Sequence, residues 1–183
     1  MMRIIFLLFF LGQNLISNGQ VENLPKEIRI TSAFTSFPDT ARAKGHMYDK
    51  VLYTAEEHYK DSSVLIVVPP DFKAGKKVDV IFWFHGWRNN IDSAAAYFEL
   101  TKQFLASNRN AVLVIPETTK NAPDSYGGKL EQENFFKQLL QDVMNELKKK
   151  KITEKKNQSR QYNVGGAQRR FQGDGIYYTA GWN

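Results

Sequence analysis

The sequence predicts an α/β fold in which helices flank a mostly parallel central sheet, and three observations predict it. Residues 78–84 (Val-Asp-Val-Ile-Phe-Trp-Phe) and 111–115 (Ala-Val-Leu-Val-Ile) are short, nearly unbroken apolar runs, the mark of strands buried on both faces. Between them, residues 93–106 place Tyr97, Thr101 and Phe104 on one helical face with Phe98 and Leu105 beside it. From residue 131 to 149, Phe136, Leu139 or Leu140, Val143 and Leu147 recur at spacings of three and four. Strand, helix, strand, helix is the succession that builds a parallel sheet.

Each element has a start and a stop. Ile28 and Ile30 alternate with polar neighbours over 27–34, which predicts a half-exposed first strand ended by Phe37-Pro38-Asp39. Residues 51–53 and 63–68 are β-rich, and Pro69-Pro70 closes the second, because proline fixes φ and removes an N–H. Gly75 and its lysine neighbours then turn the chain into 78–84, which predicts a short hairpin between the two strands. Asp92 is placed to cap the first long helix, and Asn108-Arg109-Asn110 ends it. The second long helix is acidic early and ends in lysines, matching its dipole. A sheet that stops at 111–115 would leave that strand's outer edge unpaired, so the isolated chain is expected to aggregate.

Length and charge narrow the organisation. The 183 residues, 42% hydrophobic and 24% charged, suffice for one ordinary core. A basic Arg3, the unbroken apolar run 4–11 and the small residues of Ser17-Asn18-Gly19 give residues 1–19 the layout of a secretory signal peptide, too short in its apolar part to span a bilayer. That implies a secreted or periplasmic protein with no stable membrane association once the leader is cut. The chain has no cysteine, so disulfides and thiolate metal sites are excluded. The net charge of +6 lies in the tail: from Lys148 on, nine basic residues face Glu154 and Asp174, a net +7, and everything earlier sums to −1. A nearly neutral body does not steer polyanions, and no nucleic-acid partner is expected.

The chemistry-bearing residues cluster where strands end. His85-Gly86-Trp87 follows 78–84 directly, and the small residue lets the backbone turn. Val114-Ile115-Pro116-Glu117 ends the next strand, and 121–130 reads Asn-Ala-Pro-Asp-Ser-Tyr-Gly-Gly-Lys-Leu. These segments, in this order and with the two helices, resemble the front half of the α/β-hydrolase fold, in particular secreted bacterial serine-hydrolase-like or esterase-like proteins, over about residues 63–152. The resemblance implies the N-terminal part of a three-layer sandwich, with Gly86 or Trp87 presenting an oxyanion N–H beside His85, and with Glu117 and Asp124 on the pocket rim. It implies an ester-type small substrate and no cofactor. It also implies a Gly-x-Ser-x-Gly elbow on the next strand, then an acid and a histidine, and no catalytic residue of that set is in frame.

In the place of the elbow stands Gly165-Gly166-Ala167-Gln168-Arg169-Arg170-Phe171, without apolar period. Read one base later, the codons permitted for 166–171 allow Gly, His, Ser, Gly and Ala or Gly. The same frame continued through 172–180 allows Arg, Val, Met, Ala, Tyr, Ile, Ile, Leu and Gln, a nucleophile elbow and the helix after it. Adenine-rich lysine codons near 148–156 favour slippage. The organisation expected is therefore a signal peptide at 1–19, a partial α/β-hydrolase domain at 20–152, and a disordered, out-of-frame basic tail at 153–183. On this reading the chain is inactive; the alternative is a secreted non-catalytic binding protein with a basic disordered tail. His46 and His58 lie far from carboxylates at metal-ligand spacing, so no zinc site is expected, and Ser125 reads as a turn former.

Overall fold

The computed structural model describes residues 24–75 and 77–153, and the backbone of 176–179. The leader and most of the tail therefore lie outside the described residues. In chain order the elements are β1 (Lys26–Thr31), β2 (His46–Tyr48), β3 (Val51–Tyr53), α1 (Ala55–His58), β4 (Ser63–Val68), β5 (Asp79–Phe84), α2 (Ile91–Tyr97), α3 (Leu100–Ala106), β6 (Ala111–Pro116), α4 (Phe135–Lys149) and β7 (Ile176–Thr179). The main sheet runs β1-β4-β6-β5-β7, and β2 and β3 pair as a separate hairpin.

Alternation in the strands sorts the core into two faces. Val64, Ile66, Val80, Phe82, Val112 and Val114 point to one side, where α4 buries Leu139, Leu140, Val143, Met144 and Leu147 on them. Leu65, Val67, Trp83, Leu113 and Ile115 point to the other, against Ile91, Ala94, Leu100 and Phe104 of α2 and α3. Helix, sheet and helix form three layers. Full burial of each such aliphatic or aromatic side chain contributes about 1.5–3 kcal/mol, which is why both faces of β4, β5 and β6 are apolar.

The sheet is mixed, not mostly parallel. Among the described strands only β5 and β6 run parallel; β1–β4, β4–β6 and β5–β7 are antiparallel. The expected hairpin between residues 63–68 and 78–84 is also corrected, because β6 lies between β4 and β5. All six residues of β6 are buried, so the strand belongs in the middle, where neighbours cover its edges as well as its faces. The predicted exposed edge on 111–115 does not exist. The edge left over belongs to β5, and there the backbone of Ile176–Thr179 pairs, in a tail whose composition offered no strand.

The helices follow the pattern with shifted limits. The single helix expected over 93–106 is two, broken at Phe98 and Glu99, where Glu99 takes a left-handed φ of 45°. A continuous helix from Ile91 and Ala94 would bring 98 and 101 to the sheet; the break re-phases the chain so that Leu100 and Phe104 face inward, leaving Tyr97 exposed. The cap is Asn90, whose side chain accepts from the Ser93 amide, while the exposed Asp92 pairs with Arg29. The second long helix begins at Phe135 because residues Gly128–Glu131 form a 3₁₀ turn.

Candidate functional site

The carboxyl ends of β5 and β6 lie side by side, the position at which α/β sheets hold ligands. His85 leaves the end of β5 and Glu117 the end of β6, and their side chains are 0% and 3% exposed. The imidazole Nε2–H donates to Glu117 Oε1, while Nδ1 lies 3.1 Å from the Gly86 carbonyl. Glu117 Oε2 accepts from the amide of Ile91, the first residue of α2, at 3.2 Å. Thus one buried carboxylate joins two strand ends and a helix start. Glu117 is not on a pocket rim; the resemblance put it there, and the packing of α2 over β6 buries it.

Thr118 Oγ1 lies 3.1 Å from His85 Nε2. Hydroxyl, imidazole and carboxylate are the three groups of a hydrolytic triad, but the wiring is different. A triad sets the carboxylate on one ring nitrogen and the nucleophile on the other; here Glu117 holds Nε2, Thr118 Oγ1 sits 3.1 Å from that same nitrogen and 3.4 Å from Nδ1, and Nδ1 also faces the Gly86 carbonyl. His85 is bonded into the fold and has no free nitrogen to serve as a base.

The turn after His85 is fastened at many points. Arg88 N–H donates to the Ala122 carbonyl at 3.0 Å, Asn121 N–H to Asn89 at 2.7 Å, and Asn90 Nδ2 to Asn121 Oδ1 at 2.7 Å. Asn90 N–H is taken by the Asn89 side chain, and Ile91 N–H by Glu117. Among the described residues no acceptor meets the amides of Gly86, Trp87 or Asn89. Gly86 is exposed, and a Cβ placed on it would meet nothing within 4 Å. The sharp turn expected at Gly86 is corrected, since the left-handed residue is Arg88, at φ 53°. Trp87 is 51% exposed, its ring edge-on to Tyr48 with centroids 5.5 Å apart.

Behind the turn, the chain from 117 to 126 is anchored in turn. Glu117 N–H donates to Ser63 on β4 at 2.8 Å, and Lys120 N–H to the His58 carbonyl at 3.1 Å. Lys120 Nζ bonds Asp61 at 2.6 Å, and His58 Nδ1 meets the Lys120 carbonyl at 2.8 Å. Asp124, with a side chain 5% exposed, is also not a rim residue. It accepts from Arg42 Nε at 2.6 Å, Tyr59 Oη at 3.2 Å and the Tyr126 amide at 2.9 Å. Burial alone would raise its carboxyl; the bonds from Arg42 and Tyr126 outweigh burial and hold it below the usual aspartate range. Burial also raises Tyr59, as does Asp124 beside it.

The structure therefore brings His85 and Glu117 together, keeps Gly86 and Trp87 on the surface beside them, and sets Asp124 in a separate anchor. Arg42, Tyr59, Thr118, Lys120 and Asn121 were missed, because their partners lie 31 to 82 positions away and no local pattern marks them. Ser125 is exposed, next to the anchor. Among the described residues no group of three His, Cys, Asp or Glu could hold a metal ion, and no helix is long and apolar enough to cross a membrane. No family model, curated protein or solved structure matches the chain.

Proposed function

We propose that residues 24–153 are the first part of the catalytic domain of a secreted serine hydrolase of the α/β-hydrolase class, acting on carboxylic esters or related acyl bonds, and that the chain as it stands is inert. The observation that carries this is the pair of amides at Gly86 and Trp87 that no acceptor meets among the described residues, at the end of the third strand of the main sheet. In that class the loop after the third strand supplies one oxyanion N–H, and the residue after the nucleophile supplies the other. Loss of one such donor typically lowers the rate about 10²–10³-fold.

The topology supports a place for the nucleophile. Parallel crossovers are right-handed. The step from β5 to β6 runs through α2 and α3 on one face, and α4 lies on the other face, so a right-handed connection through α4 leads back across β5. In the restored chain the next parallel strand would pair on the outer edge of β5, in the place β7 takes here, with its carboxyl end beside Gly86 and Trp87. A serine on an elbow at that end stands opposite their amides. The codons permitted in the shifted frame allow such an elbow at 166–170, at a distance after α4 suited to a connection and a strand.

The second reading is a secreted binding protein without chemistry. The observation in its favour is β7, which fills the β5 edge antiparallel with residues of the chain as given. Restoring the alternative frame after Lys151 and assaying a short nitrophenyl ester separates the two. The hydrolase reading expects no turnover by the chain as given, turnover in the restored protein, and its loss when the serine encoded across Gln168 and Arg169 is replaced by alanine. A folded restored protein without turnover overturns it.

A further inference from the structure

We infer that Glu117 is the positioning residue of the amide-bearing turn: its buried carboxylate clamps both ends of residues 85–91, the turn that carries the exposed Gly86 and Trp87. This inference rests on the hydrolase reading for its purpose but not for its geometry. One oxygen accepts from the His85 Nε2–H at the start of the turn, and the other accepts from the Ile91 amide at its end. The carboxylate is itself fixed, because the Glu117 amide is bonded to β4 at 2.8 Å and the following chain to α1.

Burying a carboxylate is costly, and an apolar side chain would fill the same space more cheaply. What a carboxylate adds is two acceptors at a set separation. Without them the N–H of Ile91 and the ring of His85 would seek other partners, and the Gly86 carbonyl of the turn already lies 3.1 Å from the ring. The amides of Gly86 and Trp87 would then lose their fixed direction. Preorganised donors stabilise a developing oxyanion because they need not reorient during reaction, so the clamp acts on the chemical step and not on substrate capture.

Glu117→Gln tests this on the full chain. The amide keeps the volume but offers one acceptor oxygen, so it cannot serve His85 Nε2–H and Ile91 N–H together. Expected are faster hydrogen exchange at Ile91, by about tenfold or more, and moved amide resonances at Gly86 and Trp87, with exchange at Val114 in β6 unchanged. A purely structural role would speed Val114 and Ile91 alike, or would leave the turn's resonances in place; either result overturns the inference. Should Glu117→Gln not fold, His85→Asn releases only the first end of the clamp. It must move Gly86 and Trp87 while leaving Ile91 protected, and unmoved resonances there overturn the clamp equally. In the restored frame, Glu117→Gln lowers kcat with KM unchanged. An inert restored parent overturns the hydrolase reading, while the exchange measurement still decides the clamp.

Discussion

Replacing Asp124 by alanine removes four hydrogen bonds from one buried point. Its carboxylate accepts from Arg42 Nε at 2.6 Å and Nη2 at 3.3 Å, from Tyr59 Oη at 3.2 Å and from the Tyr126 amide at 2.9 Å. Tyr59 is almost wholly buried and cannot turn to water, whereas the Arg42 side chain is 19% exposed and can recover part of its hydration. Breaking a buried pair costs about 3–5 kcal/mol, and each orphaned donor about 1–3 kcal/mol, terms that overlap. The accessible side of Arg42 sets the expectation near the lower bound, about 3 kcal/mol. For a domain of this size that is on the order of 10 °C in the midpoint of thermal unfolding. Urea and thermal unfolding followed by circular dichroism measure it. Arg42→Ala and the double variant complete a cycle whose coupling should exceed about 1 kcal/mol. A loss below about 1 kcal/mol for Asp124→Ala, or additive single effects, would refute the claim that this carboxylate anchors the 117–126 segment.

Acid should weaken the same region. Burial would raise the carboxyls of Asp61 and Asp124, but bonds from Lys120 and Ser63 in one case, and from Arg42 and Tyr126 in the other, hold both below the ordinary value. Their contribution is fully present above about pH 4, where the unfolded groups are ionised, and is lost as pH falls through the lower folded-state values. The urea midpoint should fall from pH 5 to pH 3, and a rise would contradict the assignment. Leu140→Ala, which opens a hole between α4 and the sheet, is expected to cost about 2–5 kcal/mol in urea unfolding. Two glycines should behave oppositely. A Cβ on Gly128, at φ +59°, would stand 2.1 Å from the Ser36 carbonyl oxygen, so Gly128→Ala should cost more than about 1 kcal/mol. Gly86→Ala meets no atom and should stay within about 0.5 kcal/mol, as thermal melts of the two variants will show.

How much of this was legible follows from the range of each interaction. The runs at 78–84 and 111–115 announce two-faced strands because burial on both sides demands it, and α4 announces itself by its spacing of three and four. Their arrangement was not legible. Nothing local tells that β6 inserts between β4 and β5, since that depends on which edges are left to cover. The break at Glu99 escaped detection because Phe98 and Leu105 supply enough apolar residues to sustain a continuous helical face. At the site, His85, Gly86 and Trp87 stood out from their place after a strand. Glu117 and Asp124 were identified as important but set on the surface. A loop carboxylate is usually solvated, and only the distant partners, His85 and Ile91 for one and Arg42 and Tyr59 for the other, hold these two inside.

The nucleotide sequence across residues 148–183 tests the central claim most directly, because the serine proposed to face the Gly86 and Trp87 amides can be encoded only in the shifted frame. The account predicts GCA at Ala167 and CAG at Gln168, with the frame displaced between Lys151 and Asn163. Any codon other than CAG at Gln168 removes the serine and contradicts the account.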